Sequence, residues 1–127
     1  MAENERILVV DDEPSIRKYL GTLLEVDGYQ VETVVSGQEA IEKIESGDRP
    51  DFIILDVLMP VMNGGVAPRE LRRIDPTVPV VLASGYDGHE IQARLAEWQI
   101  NERPDGFLQK PFGLDEAQAI VDRFVGR

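Results

Sequence analysis

Apolar positions along this chain alternate between two rhythms. Ile7-Leu8-Val9-Val10 is an unbroken apolar run, the pattern of a strand covered on both faces. Pro14 then opens a helical period in which Ile16, Tyr19, Leu20, Leu23 and Leu24 share one stripe, and Gly28 ends it. Val31 to Val35 is β-branched and strand-like. Ser36-Gly37-Gln38-Glu39 has the Ser and Glu spacing of a capping box, Ala40, Ile41 and Ile44 supply the buried face behind it, and Gly47 closes the helix. Phe52 to Leu55, ending at Asp56, reads as a third strand, and a helix around Pro68 to Ile74 follows with Ala67, Leu71 and Ile74 on one side. Pro79 to Ala83 is the fourth strand, and Gly88 to Gln99 the fourth helix, with Ile91, Leu95 and Trp98 inward. Gly106 to Gln109 is the fifth strand, and Ala117, Ile120, Val121 and Phe124 space out a last helix.

Strands alternating with helices build βαβ units, so the class is α/β with a parallel sheet in three layers, α/β/α. Right-handed crossovers leave few topologies. The best fit for five strands is the flavodoxin-like, doubly wound order 2-1-3-4-5, whose switch point lies between strands one and three. Ligands bind there, beyond the carboxyl ends of the strands, so chemistry is expected after strands one and three. No repeat, low-complexity tract or linker divides the sequence, which reads as one domain over 1–127 with a core from about 5 to 125.

Composition narrows the function. A chain of 127 residues buries about two-thirds of its unfolded surface and holds a core without staples. The absence of cysteine excludes disulfides, thiolate metal sites and a catalytic thiol. Thirteen basic against 24 acidic residues give a net charge of −11, and no basic run exceeds Arg72-Arg73, which argues against direct nucleic-acid binding. No apolar run approaches the roughly 18 residues of a membrane span, and Met1 to Arg6 carries acids rather than a signal-peptide pattern. A cytoplasmic location with no membrane partner is the expectation.

The acids fall where the topology asks for chemistry. Strand one ends in Asp11-Asp12-Glu13 and strand three in Asp56. Carboxylates converging at one sheet edge repel unless a cation relieves them, and a hard divalent ion with oxygen ligands, most simply Mg²⁺, does so. The competing reading is that Asp12 or Glu13 merely caps the first helix. Strand four ends in Ser84 and strand five in Lys110-Pro111, on the same rim. A hydroxyl and an ammonium beside a carboxylate and a cation suit a phosphoryl group.

Val10-Asp11-Asp12-Glu13-Pro14, Leu55 to Pro60 with Asn63-Gly64, Ala83-Ser84-Gly85 and Phe107 to Phe112 together resemble the receiver domain of two-component response regulators, of the CheY-like type. The longer interval from Ser84 to Lys110, with Tyr86, is similar to receivers fused to hybrid sensor histidine kinases. The resemblance implies that Asp56 is the phosphoacceptor and that Asp11, Asp12, Asp56 and the Leu58 carbonyl hold Mg²⁺. It implies that Ser84 donates to a phosphoryl oxygen, that Lys110 pairs with the phosphoryl charge, and that Lys110-Pro111 is a cis peptide. Ser84 and Phe107 would form the switch, moving the surface of helix four, strand five and helix five. The resemblance also makes Leu58 and Tyr86 the rate-modulating positions, where their bulk predicts a long-lived phosphoform.

The implied partners are a histidine kinase, on the same polypeptide or another, and a downstream protein or phosphotransfer domain. The domain would not be an enzyme, but a phosphoacceptor that assists its own phosphorylation and dephosphorylation. A phosphate-independent interaction module is the alternative, which the intact Asp11, Asp12, Asp56, Ser84 and Lys110 oppose. An aspartyl-phosphate phosphatase is less well supported, because it needs an Asp-x-Asp pair after strand one. His89 is assigned no role, and Met59 and Met62 are expected to pack the loop around Pro60.

Overall fold

The computed structural model describes residues 5–56, 71, 73, 75–85, 89–90, 93, 105–110 and 112–125. Five strands, β1 (Arg6–Val10), β2 (Gln30–Val34), β3 (Phe52–Asp56), β4 (Val80–Ser84) and β5 (Gly106–Gln109), form one sheet in the order β2-β1-β3-β4-β5. Every neighbouring pair is parallel. This is the expected doubly wound arrangement, with β1 and β3 adjacent at its switch point. Helices α1 (Pro14–Val26) and α2 (Gly37–Glu45) and a C-terminal helix (Leu114–Val125) lie among the described elements. Leu71 and Arg73 are helical, as are His89, Glu90 and Ala93; the rest of the third and fourth expected helices, with Trp98, lies outside the described residues.

The unbroken apolar strands are explained by their two covered faces. Successive side chains alternate across a strand. Leu8, Val10, Ile53, Leu55, Val80 and Leu82 pack with Ala40, Ile41 and Ile44 of α2 and with Leu71. Ile7, Val9, Phe52, Ile54, Val81 and Ala83 pack with Leu20, Leu23 and Leu24 of α1 and with Ala117 and Val121 of the C-terminal helix. Each Val, Leu, Ile or Phe side chain among them contributes about 1.5–3 kcal/mol on burial. Gly106 lets the C-terminal helix approach: a Cβ there would lie 3.2 Å from Ile120 Cδ1.

The ends of the elements follow the chain's punctuation. Gly28 and Gly47 take positive φ, 96° and 100°, just past α1 and α2, the left-handed conformation that stops a helix cheaply only at glycine. Ser36 Oγ accepts from the Glu39 amide at 3.1 Å. The Glu39 carboxylate reaches back to the Val35 amide at 3.2 Å, one residue earlier than in the usual capping box.

Three details differ from the expectations. Tyr19 is 42% exposed, because at 3.6 residues per turn it lies on the flank of the stripe centred on Leu20, Leu23 and Leu24. The second strand runs from Gln30 to Val34 because it pairs Arg6 to Gln30 and Val10 to Val34, leaving Val35 outside and exposed. Glu13 is the residue preceding α1, yet its side chain makes no capping bond, so the cap reading of that acid fails. A network not read from the sequence ties β1, β2 and α2: Arg6 pairs with Asp48 and, at 2.6 Å, with Glu32, while Lys43 meets both acids at 2.7 Å.

Candidate functional site

Register assembles the site. Val10 pairs with Leu55, so the next residues, Asp11 and Asp56, emerge side by side at the carboxyl edge of β1 and β3. Asp56 pairs with Ala83 and Ser84 with Gln109, which brings Ser84 and Lys110 to the same rim. Lys110 is anchored there by its own amide, which donates to the Ser84 carbonyl at 2.6 Å. Asp11, Asp56 and Ser84 are buried, the three polar residues so classed among those described.

Lys110 Nζ donates to Asp11 Oδ2 at 2.9 Å and lies 3.6 Å from Asp56 Oδ1 and 4.0 Å from Glu13 Oε1. Burial works against the ammonium, but the Asp11 hydrogen bond and the charges of Asp56, Asp11 and Glu13 outweigh it, and the Lys110 pKa is raised. The lysine is therefore a fixed cation at neutral pH. Asp11 is held from its other oxygen as well: Oδ1 accepts from the Glu13 amide at 2.9 Å.

One carboxylate oxygen from each of Asp11, Asp12 and Asp56 lies within 4.8 Å of the others. Three carboxylates facing one ammonium leave the pocket net negative, and its donors are all hard oxygens. That set fits a Mg²⁺-type cation, which accepts a few carboxylates and keeps waters. Of the remaining expected site residues, Phe107 is half-buried against the Leu8 and Val10 side of the core, while Leu58, Tyr86 and Pro111, and with Pro111 the cis peptide, lie outside the described residues.

Arg17 was not singled out by sequence reasoning. Its guanidinium donates to the Asp11 carbonyl at 2.8 Å, bracing the acidic turn from the first turns of α1. The signal was a basic residue one turn into a helix that begins beside the acids. Phe112 is buried, and its ring sits 6.1 Å from that of Tyr19, which fixes the segment after Lys110 against α1.

The family model described as the response regulator receiver domain matches residues 7–122. The chain belongs to this family. Response regulator MprA of Mycolicibacterium vanbaalenii is 39% identical over 122 residues, 96% of this chain and 51% of that protein. The receiver domain thus spans about half the length of the curated relatives it matches. Response regulator TrrA of Thermotoga maritima, solved in complex with Mg²⁺ and BeF, superposes with a TM-score of 0.80 at 34% identity, covering 94% of this chain and 98% of that one. The receiver domain of a sensor histidine kinase of Pseudomonas aeruginosa, with magnesium coordinated in its active-site cleft, gives 0.84 at 28% identity, covering 98% and 99%. This is a receiver domain of a two-component system, and no described helix is long and apolar enough to cross a membrane.

Proposed function

We propose that Asp56 accepts a phosphoryl group from the phosphohistidine of a histidine kinase, with Mg²⁺ as cofactor, and that the domain is a phosphoacceptor rather than an enzyme with a separate substrate. The observation that carries this reading is Lys110 Nζ, 2.9 Å from Asp11 and 3.6 Å from Asp56, beside three gathered carboxylates. Asp11, Asp12 and Asp56 would hold the ion, together with the Leu58 carbonyl. Bound Mg²⁺ supplies electrostatic stabilisation of phosphoryl oxygens.

The residues themselves set the rest. An Asp56 oxygen attacks phosphorus in line, and the bond to the donor nitrogen breaks with its electron pair leaving on the donor. Lys110 already stands where charge accumulates, so little reorganisation is needed. Ser84, at the end of β4, offers its hydroxyl to a phosphoryl oxygen. Its displacement toward that oxygen is coupled to Phe107, on β5 opposite Leu82, and so to the surface around β5 and the C-terminal helix. That surface addresses a downstream protein or phosphotransfer domain.

Intact mass after incubation with acetyl phosphate and Mg²⁺ tests the assignment. A gain of about 80 Da, the mass of one phosphoryl group, is expected in the wild type and absent from Asp56→Asn. A gain retained by that variant overturns it. For the switch, a beryllofluoride complex that leaves Ser84 and Phe107 unmoved overturns the coupling.

A further inference from the structure

We infer that Glu13 and the small pocket it borders select the class of phosphodonor, favouring a donor whose leaving group is a nitrogen heterocycle over one whose leaving group is a carboxylate. The inference rests on Asp56 being the phosphoacceptor. A cavity of about 420 Å³ lies against the site, lined by Glu13, Ile16, Tyr19, Lys110 and Phe112. Lys110, one of these lining residues, reaches to 3.6 Å from Asp56 Oδ1. Ile16, Tyr19 and Phe112 supply apolar and aromatic walls, with the two rings tilted by 44°. Glu13 completes the lining.

Glu13 is loosely held. It precedes α1 but makes no capping bond through its side chain, which is 59% exposed. Its nearest described cation, Lys110, stands 4.0 Å away and is engaged more closely by Asp11. Glu13 therefore borders the cavity loosely paired, next to the lysine that reaches the phosphoacceptor.

The chemistry of departure makes that charge consequential. In an N-phosphorylated imidazole, breaking the P–N bond leaves the electron pair on nitrogen. When the ring's other nitrogen carries a proton, the ring enters as a cation and departs as neutral imidazole. A carboxylate beside the ring stabilises that protonated form. Acetyl phosphate releases acetate, and the same carboxylate repels the charge growing on it. Glu13 thus acts in opposite directions on the two donors.

The experiment compares initial phosphorylation rates of the full chain with monophosphoimidazole and with acetyl phosphate at saturating Mg²⁺, in wild type, Glu13→Gln and Glu13→Asp. Removing one charge from a partly solvated site is expected to lower the imidazole-to-acetyl rate ratio about tenfold. Glu13→Asp, which keeps the charge, is expected to restore most of the ratio. An equal change with both donors, which a general effect through Lys110 would give, overturns the inference, as does an unchanged ratio. Should the wild type gain no phosphoryl group from either donor, or Asp56→Asn still gain one, the phosphoacceptor assignment is what fails.

Discussion

Replacing Lys110 with methionine keeps the length of the side chain and deletes the charge that stands between Asp11 and Asp56. Both carboxylates are almost fully buried, at 3% and 4% side-chain exposure, and the lysine is 17% exposed. Removing one partner of a buried ion pair costs about 3–5 kcal/mol. Proton uptake sets a ceiling on that loss, because an ordinary aspartate is protonated at a cost of about 4 kcal/mol at pH 7 but only about 1.5 kcal/mol at pH 5. With Lys110 at the pocket edge, the expected loss is about 3 kcal/mol at pH 7, falling to about 1.5 kcal/mol or less at pH 5. Urea unfolding of both proteins in a metal chelator at the two pH values measures this directly. Mg²⁺ binds the folded state, so saturating it is expected to stabilise the variant more than the wild type, whose lysine already neutralises part of the pocket. The wild-type pair has the opposite alkaline behaviour: the raised Lys110 pKa gives stability that is complete below about pH 10.4 and lost as pH rises through the folded value. A loss identical at pH 7 and pH 5, with equal Mg²⁺ responses in the two proteins, refutes the reasoning.

Three further outcomes are expected. Ser36→Ala removes the oxygen that accepts the Glu39 amide and is expected to cost about 1 kcal/mol by chemical denaturation, while Ser36→Asp is expected to be close to neutral. Gly106→Ala is expected to fall within about 0.5 kcal/mol of wild type, since the 3.2 Å neighbour is the flexible tip of Ile120, whereas Gly106→Leu is expected to cost more than about 2 kcal/mol in the same assay. In the network of Arg6, Lys43, Glu32 and Asp48, hydrogen bonds from Lys43 and Arg6 lower both acid pKa values. The stability they provide is present above the ordinary carboxylate range and is lost as pH falls through the lowered values. Tm followed from pH 6 to pH 3 is expected to drop less in Glu32→Gln than in wild type, and less at high salt.

The family's chemistry was legible because it is written in short contiguous words. Asp11-Asp12-Glu13 closes an apolar run, Asp56 closes another, and parallel β1 and β3 needed only to be neighbours for those acids to meet. Helix ends were legible for a similar local reason: Gly28, Gly47 and Ser36 act on amides within a few residues of themselves. Tyr19 was misplaced because a periodic stripe shows which residues share a helix side, but not how far the neighbouring helix extends over its flank.

By itself, then, the chain's pattern determined the alternation of elements, the parallel sheet and the edge at which the carboxylates collect, because each follows from local periodicity and right-handed crossovers. Only the folded molecule decided which charges pair. Lys110 and Asp11 are 99 residues apart and Arg6 and Asp48 are 42 apart, so their contacts follow from register and helix docking rather than from spacing along the chain. The same holds for the pocket between α1 and Phe112, whose walls come from segments that no sequence interval brings together.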